Sequence, residues 1–489
     1  MNFISTRGQG GYVTASEAII KGLADDGGLY VPESFPNLYN HLKEKTNLSY
    51  EDLAFEIIKE FFDDISREDL KEAIDTAYKG RFNVVEDKNF LELYHGPTSA
   101  FKDAALLFLP QIMKKAKKKQ KVNNEIVILT ATSGDTGKAA LEGFSDVEGF
   151  KVVVYYPQNG VSEIQRKQMI TQKGNNVKVV GIDGNFDNAQ TGVKEIFADK
   201  ELKKELENWG VQLSSANSIN IGRLVPQIVY YFYGYFNLVN KQKINIGDKI
   251  NVVVPTGNFG NILAAYYGKK MGLPINKLIC ASNENNVLAD FFKTGAYDKR
   301  RELKQTESPS MDILVSSNLE RLLFEGNNRD SKIINKLMSD LNNKGIYMIS
   351  EQCREFFNEF YGEYAEIDEV YKAIKDVYEK ENYLMDTHTA VGYVVLKKYQ
   401  ENTGDLTPYL IVSTASPYKF PRSICNAIGI EVDNKNDFEV LETLNKITKK
   451  DIPENLKNLA EAQVLHNNTC DKEEMKKELL GFLKVKSNV

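Results

Sequence analysis

The chain has 489 residues, of which 42% are hydrophobic and 27% charged, and its formal net charge is −6. The length predicts roughly three domains, or two with terminal extensions, and the composition is typical of a soluble globular protein. The negative charge argues against nucleic acid as a main partner. The most apolar stretch, residues 224–239, is broken by proline, glycine and polar residues, so we expect no membrane span.

Cysteine and histidine are rare, with four of each. The cysteines lie far apart and the histidines show no ligand-like spacing, so we predict neither a disulfide scaffold nor a metal site. The first eight residues lack the apolar core of a signal or transit peptide. We therefore expect a cytoplasmic protein whose chemistry depends on an organic cofactor or on acid–base groups.

Residues 1–94 combine short helical patterns with turn-rich pieces and are predicted to form an N-terminal domain. The sequence HGPTSAFKDAA follows at 95–105, where a Gly-Pro turn and capping hydroxyl residues precede an apolar run. This predicts Lys102 in the first turn of a helix. Because a helix N-terminus is electropositive, we expect a lowered pKa and a neutral amine able to form a Schiff base. A surface lysine with a solvated head group would fit this segment too.

From residue 125 onward, short β-branched runs alternate with helix-length stretches. The predicted strands are residues 125–130, 151–156, 176–180, 211–214, 250–254, 277–281 and 409–413. This alternation favours parallel βα units in a doubly wound α/β fold, in which ligands bind at the carboxyl ends of the strands. The residues after 430 are charged and helical and are predicted to form a C-terminal segment.

Three of the strand-to-helix junctions have the composition of anion sites. The segment TATSGDTGK at 130–138 contains two glycines and several hydroxyl groups, but its glycine spacing and the following Ala139 differ from a P-loop. The segment PTGNFGN at 255–261 predicts a nest of backbone amides suited to a phosphate monoester. The segment NSINIGR at 217–223 ends in Arg223, whose fork suits a second phosphate or a carboxylate. An ordinary turn would fit either of the first two segments alone. A salt bridge from Arg223 to a neighbouring helix would fit the third.

Taken together and in chain order, these motifs resemble those of the threonine synthases. The resemblance rests on residues 95–103, 131–137 and 257–261, with 5–8 and 22–32 near the N-terminus, and it runs from residue 5 to about 421. It implies the two-lobed doubly wound sheets of the tryptophan-synthase-like, pyridoxal-phosphate-dependent fold type. The implied organisation is an N-terminal domain at 1–94, a catalytic region at 95–430 and a C-terminal helical segment at 431–489.

The resemblance also implies roles for individual residues. Lys102 would carry pyridoxal phosphate and act as a general base, and Thr414 would face the pyridine nitrogen. The residues implied to bind the cofactor phosphate are Gly257, Asn258, Phe259, Gly260 and Asn261. The substrate carboxylate would lie against Thr132, Ser133, Asp135 and Thr136, and the substrate phosphate against Asn217, Ser218 and Arg223. The family commonly has a histidine where this chain has Ser416.

The implied activity is the conversion of O-phospho-L-homoserine and water to L-threonine and phosphate by γ-elimination and β-addition of water. This carbon–oxygen lyase reaction is the last step of threonine biosynthesis. Two alternatives remain: a dehydratase or phospho-lyase that releases a keto acid, and a nucleotide-binding α/β protein with a degenerate phosphate loop. The resemblance implies a monomer or weak dimer.

Overall fold

The computed structural model describes residues 1–132, 134–158 and 160–484. Its strands, in chain order, are β1 (Phe3–Ser5), β2 (Tyr30–Pro32), β3 (Asn83–Asp87), β4 (Phe90–His95), β5 (Glu125–Ala131), β6 (Phe150–Pro157), β7 (Val177–Ile182), β8 (Val211–Ser214), β9 (Ile250–Pro255), β10 (Ile275–Ser282), β11 (Ala296–Asp298), β12 (Ile346–Met348), β13 (Phe360–Tyr364), β14 (Tyr409–Ser413) and β15 (Asn468–Cys470).

The helices precede, connect and follow these strands. The α-helices are α1 (Ala15–Lys21), α2 (Tyr39–Leu42), α3 (Tyr50–Ile58), α4 (Arg67–Tyr78), α5 (Asp103–Leu106), α6 (Phe108–Gln120), α7 (Asp135–Phe144), α8 (Glu163–Ile170), α9 (Phe186–Ala198), α10 (Lys200–Asn208), α11 (Ile221–Leu224), α12 (Pro226–Asn240), α13 (Gly260–Lys270), α14 (Val287–Thr294), α15 (Leu319–Gly326), α16 (Ser331–Lys344), α17 (Glu351–Phe356), α18 (Ile367–Glu381), α19 (Thr387–Thr403), α20 (Pro421–Ala427), α21 (Asp437–Thr448), α22 (Glu454–Lys457) and α23 (Met475–Lys484). Single 3₁₀ turns lie at Pro309–Met311, Phe357–Glu359, Pro417–Lys419 and Lys472–Glu474.

Two large sheets form the two lobes. One sheet has the order β13-β10-β9-β14-β4-β3 and is parallel except for β3, which pairs antiparallel with β4. The other has the order β15-β7-β6-β5-β8 and is parallel throughout. The central strands β6 and β9 are buried along their whole length, which explains their continuous apolar sequences. The predicted two-lobed, doubly wound α/β architecture is confirmed.

All seven strands predicted from the sequence are present, and β8 and β14 have the predicted bounds. The prediction missed the other eight strands of the described residues, including β3, β4 and β13 of the six-stranded sheet. One of the eight is β15, a three-residue strand of sequence NTC that carries little intrinsic strand preference. Pairing with β7 holds this strand in place, so tertiary contact rather than local sequence determines it.

The N-terminal helices share one hydrophobic core with the following region. α1 and α4 pack against α6, and α3 packs against α12. The predicted domain boundary at residue 94 falls inside β4, a strand of the six-stranded sheet. Within the described ranges, no helix combines the length and the apolar character needed to cross a membrane. The same residues contain no cluster of three or more side chains suited to hold a metal ion.

Candidate active site

Lys102 lies in the turn that follows β4, at the N-cap of the four-residue helix α5. This turn is joined to the turn after β14. The Phe101 amide donates to the Thr414 carbonyl at 2.8 Å, and the Ser416 amide donates to the Ser99 carbonyl at 3.1 Å. The backbone therefore brings Lys102 and the buried Thr414 together, as the resemblance implied.

A residue from the C-terminal segment supports the same turn from its other side. The Asn455 Nδ2 donates to the carbonyl of Pro97 at 2.9 Å, and the Ser99 hydroxyl donates to the Asn455 Oδ1 at 2.9 Å. These two bonds span both sides of Thr98, four residues before Lys102. The position of the Lys102 turn therefore depends on a side chain from far along the sequence.

The Lys102 amine lies in a buried, mixed-charge environment. Its Nζ is 3.4 Å from the Ser310 hydroxyl and 4.0 Å from the Asp135 Oδ2. Burial lowers the pKa of Lys102 to about 8; the Asp135 carboxylate opposes this change, and the cations Arg223 and Lys419 reinforce it. The sequence predicted a lowered pKa from the helix terminus, whereas burial is the main cause in the structure.

Asp135 begins α7 and is only 3% exposed. Its Oδ1 accepts from the Lys419 Nζ at 2.5 Å and from the Gln165 Nε2 at 2.9 Å. Burial opposes ionisation, but the nearby Lys419 and Lys102 hold the pKa of Asp135 below its usual range. Asp135 is thus an anion balanced by two lysines. This differs from the expected contact with a substrate carboxylate, which an anion would repel.

The remaining residues of the 132–136 segment shape the loop between β5 and α7. The Thr132 hydroxyl accepts from the amides of Gly134 and Gly137, at 3.0 and 2.9 Å. A Cβ on Gly137 would lie 2.4 Å from the Thr132 methyl carbon, so this close approach requires glycine. Thr136 is half-buried in the first turn of α7, and Ser133 lies outside the described residues. The role of this loop in binding a carboxylate remains a prediction.

The glycine-rich loop 257–261 connects β9 to α13 and is folded tightly. A Cβ on Gly257 would lie 2.6 Å from the Ser310 carbonyl oxygen. Phe259 has a φ of +65°, a left-handed conformation that turns the chain into α13 at Gly260. The Asn258 carbonyl accepts from the Asn318 amide at 3.1 Å and from its side chain at 2.9 Å. The start of an 11-residue helix therefore presents backbone amides at this point, as a phosphate site requires.

The side chains of Phe259 and Asn261 point into the protein, whereas Asn258 is exposed. The Asn261 Oδ1 accepts from the hydroxyls of Tyr230 and Tyr231, at 2.6 and 2.5 Å. Its Nδ2 is buried and has no hydrogen-bond partner among the described residues. The Phe259 ring packs near Phe292, with centroids 6.1 Å apart. These contacts hold the loop in place from its buried side, so its backbone amides are available to a ligand.

Arg223 lies on α11 and is 4% exposed. Its Nη1 donates to the Ala216 carbonyl at 2.5 Å, and its buried Nε has no partner among the described residues. Burial lowers the pKa of Arg223 to about 10, so the group stays charged at neutral pH. Arg321, also buried, instead donates to the Tyr30 carbonyl, the Asn318 side chain and the Ile219 carbonyl.

Asn217 and Ser218 precede α11 and lie next to the glycine loop. The Ser218 hydroxyl donates to the Asn217 Oδ1 at 3.1 Å and accepts from the Asn318 Nδ2 at 3.2 Å. The Ser218 Cβ is 3.9 Å from the position that a Cβ on Gly260 would take. The sequence placed the two anion sites at separate strand ends; in the structure they are adjacent and Asn318 bridges them.

Ser416 caps the 3₁₀ turn Pro417–Lys419 by accepting from the Tyr418 amide at 3.3 Å. The same turn delivers Lys419, whose Nζ also donates to the Thr98 carbonyl at 3.0 Å. No role for Lys419, Gln165 or Ser310 is predicted from the sequence. The position of Lys419 in the motif STASPYKF was the only available signal.

Comparison with known proteins agrees with this arrangement. The family described as "Pyridoxal-phosphate dependent enzyme" matches residues 91–416. "Threonine synthase N terminus" matches residues 2–78, and "Threonine synthase, C-terminal" matches residues 389–473. The match over residues 91–416, together with the fold, places the chain among the pyridoxal-phosphate-dependent enzymes.

Individual relatives identify which of the pyridoxal-phosphate-dependent enzymes this chain is similar to. Threonine synthase of Schizosaccharomyces pombe is 36% identical over 481 residues, covering 90% of this chain and 92% of its own. The crystal structure of pyridoxal-phosphate-bound threonine synthase from Brucella melitensis matches with a TM-score of 0.87 at 34% identity and covers 100% of both chains. Human threonine synthase-like 1 is 41% identical over 450 residues, covering 88% of this chain, which spans about 60% of that relative's length. The chain belongs to the threonine synthase family.

Proposed function

We propose that this protein is a threonine synthase, a carbon–oxygen lyase that converts O-phospho-L-homoserine and water to L-threonine and phosphate in the cytoplasm. The observation that carries the proposal is the pairing of two anion sites beside Lys102. The glycine loop offers helix N-terminal amides, and Arg223 offers a buried cation without a carboxylate partner in the described chain. A phosphorylated cofactor and a phosphorylated substrate together require two such sites.

The residues present fit pyridoxal phosphate. Lys102 supplies a buried amine with a lowered pKa, the loop 257–261 supplies amides for the phosphate, and Thr414 lies beside the lysine turn. When bound, pyridoxal phosphate supplies an electron sink that stabilises negative charge on the substrate Cα. Thr414 would offer its hydroxyl, a neutral group, to the pyridine nitrogen, which moderates that sink.

Lys102 would take the proton from the substrate Cα. A general base works best when its pKa is near the working pH, and burial brings the pKa of Lys102 to about 8. The Asp135 carboxylate lies near the Lys102 amine but pairs more closely with Lys419, since the Asp135–Lys102 distance is 4.0 Å and the Asp135–Lys419 distance is 2.5 Å. Lys419 therefore takes up most of the carboxylate's charge and leaves Lys102 free to exchange a proton.

Arg223 would hold the substrate phosphate as it leaves the γ-carbon. Negative charge builds up on the departing oxygens, and a fixed cation in a dry site stabilises it. The orphaned Nε of Arg223 and the remaining donors of its guanidinium provide the fork geometry that phosphate oxygens match. An amino-acid substrate of a dehydratase carries one anionic group, its carboxylate, for which the loop at 132–136 is the expected site. A further buried cation at Arg223 therefore favours a substrate with a second anionic group, a phosphate.

Reduction of the cofactor-loaded protein with borohydride, followed by peptide mapping, tests the proposal. We expect the label on Lys102, and threonine with phosphate as products from O-phospho-L-homoserine. Lys102→Ala should lose the absorbance of attached cofactor and about 10²–10⁴ or more of the turnover, the range for one proton-transfer group. Lys138→Ala, which removes a lysine paired with Glu142 at 3.1 Å, is the matched control and should retain both. A label on Lys138 or Lys419, or 2-oxobutanoate as the product, would contradict the proposal.

A further inference from the structure

A chain of hydrogen bonds, buried at Asp386 and His388 and half-buried at Ser310, runs from Asp386 through His388 to Ser310 and ends at Lys102. We propose that Asp386 and His388 are positioning residues that hold Ser310 against the reactive amine of Lys102. The inference rests on the proposed function in one respect, namely that Lys102 attaches the cofactor. Neither Asp386 nor His388 belongs to any motif used to recognise the site.

The His388 ring is fixed in one tautomer by its two neighbours. Its Nε2 accepts from the Ser310 backbone amide at 3.2 Å, and its Nδ1 is 2.9 Å from the Asp386 Oδ1. An amide only donates, so Nε2 carries the lone pair and Nδ1 carries the proton that it donates to Asp386. The two side chains are 2% and 0% exposed, which leaves water little access to either bond.

Asp386 is anchored as the N-cap of the 17-residue helix α19. It accepts from the backbone amides of His388 and Thr389, at 2.9 and 3.3 Å, and from the Thr389 hydroxyl. The Phe420 ring packs against His388 with centroids 5.1 Å apart. With one edge bonded to Asp386 and one face covered by Phe420, the imidazole cannot rotate away from Ser310.

Ser310 is placed where it touches both halves of the candidate site. It lies in the 3₁₀ turn Pro309–Met311, and its hydroxyl accepts from the Lys102 Nζ at 3.4 Å. Its carbonyl oxygen lies over the glycine loop, 2.6 Å from where a Cβ on Gly257 would be. The bond from its amide to His388 therefore sets the position of a residue that contacts the amine and packs on the phosphate loop.

The same carboxylate reaches the other end of the site by a second branch. The Thr389 hydroxyl, which donates to Asp386, lies 2.8 Å from the Ser413 hydroxyl. Ser413 immediately precedes Thr414, the residue implied to face the pyridine nitrogen. One buried anion thus holds both the turn at Lys102 and the strand end at Thr414. Such support keeps reacting groups within the small tolerance that catalysis allows.

The test uses the full-length protein freed of cofactor and measures the rate at which added pyridoxal phosphate attaches to Lys102, followed by its absorbance. We expect His388→Leu to slow attachment by about 10- to 100-fold, the range for a misplacement near 1 Å. His388→Gln should recover most of the rate, because its side-chain oxygen can still accept from the Ser310 amide. His466→Leu is the control, since His466 is a half-buried histidine that bonds to the Gln172 carbonyl instead, and it should attach cofactor at the parent rate.

Ser310→Ala tests whether His388 acts through Ser310. It keeps the backbone amide and removes only the hydroxyl, so it should slow attachment while the melting temperature stays near that of the parent. The double variant His388→Leu with Ser310→Ala should be no slower than the slower single variant, because coupled groups are not additive.

An unchanged attachment rate in His388→Leu would overturn the inference. If His388→Leu did not fold, an unchanged attachment rate in Ser310→Ala would overturn it. So would additive losses in the double variant. In those cases Lys102 of the parent would still be labelled, and the proposed function would stand. A parent protein whose Lys102 takes up no cofactor would instead contradict the proposed function itself.

Discussion

Lys419 and Arg223 are two buried cations that both lower the pKa of Lys102, yet their charges are balanced in different ways. Lys419 is 0% exposed and lies 2.5 Å from the Asp135 carboxylate. Arg223 is 4% exposed and has a carbonyl as its hydrogen-bond partner, with its Nε unsatisfied among the described residues. Burying a cation without a counter-ion is unfavourable unless hydrogen bonds satisfy its donors, as they do for Arg321. Arg223 differs in its unsatisfied Nε, which is available to an anionic ligand. We therefore interpret Lys419 as a cation that stabilises the folded structure and Arg223 as a cation that binds an anionic ligand.

Removing the balanced cation should have the largest effect. Lys419→Met leaves Asp135 buried beside a single, more distant lysine, and we expect a loss of about 3–5 kcal/mol in the free energy of unfolding, measured by denaturant titration. The double variant Lys419→Met with Asp135→Asn removes both charges and should recover much of that loss. If Lys419→Met were as stable as the parent, the ion pair would have no structural role.

Removing the unbalanced cation should affect catalysis instead. A charge-assisted hydrogen bond contributes roughly 1.5–3 kcal/mol, so Arg223→Lys should lose about 10- to 100-fold in kcat/KM for O-phospho-L-homoserine, and Arg223→Ala more. The free energy of unfolding should fall less than in Lys419→Met, since the change removes a hydrogen bond to the Ala216 carbonyl but breaks no internal ion pair of the described chain. Cofactor content, read from absorbance, should match the parent. The contrary result would be that Arg223→Ala loses bound pyridoxal phosphate while the enzyme that stays loaded handles the substrate normally. Arg223 would then belong to the cofactor phosphate site, and the loop 257–261 to the substrate phosphate site.

The pH dependence of Lys102 reactivity tests whether Arg223 and Asp135 shift the pKa of Lys102 in opposite directions. In the cofactor-free protein, labelling by an amine reagent requires the neutral amine, so it should rise with pH around the pKa of Lys102, about 8. Because cations favour the neutral amine, Arg223→Ala should raise this midpoint. Asp135→Asn should lower it, since the carboxylate stabilises the charged form. Shifts of the same sign in both variants would contradict the electrostatic account.

Thr414→Val is expected to have the smallest effect. Valine has a similar volume and removes one hydrogen bond, which contributes about 1 kcal/mol, so turnover should fall roughly fivefold. The backbone bond from the Phe101 amide to the Thr414 carbonyl is kept, so bound cofactor should remain. Unchanged turnover would argue against a direct contact between the Thr414 hydroxyl and the pyridine nitrogen.

The sequence predicted the α/β fold because buried parallel strands have continuous apolar runs that are visible locally, as in β6 and β9. It also located the lysine turn, the glycine loop and the Arg223 segment, where glycine and hydroxyl residues mark the junctions. It could not predict the partner of Asp135, because Lys419 is 284 residues away. The chain from Asp386 to Ser310 was equally hidden, since His388 and Ser310 are 78 residues apart and neither stands in a motif. The local sequence pattern identifies each loop of the site. The contacts between these loops follow only from the folded topology.

The contact between Asn455 and the Lys102 turn has a consequence for how the protein is made. Asn455 is synthesised 356 residues after Ser99, the residue to which it bonds. At translation rates of about 5–20 residues per second, this interval is roughly 20 to 70 seconds. Throughout that time the catalytic turn would exist on the ribosome without one of its supports. A nascent chain should therefore order this turn only near the end of synthesis, because β14, which lies between β9 and β4 in the six-stranded sheet, and the turn that follows β14 are also made late.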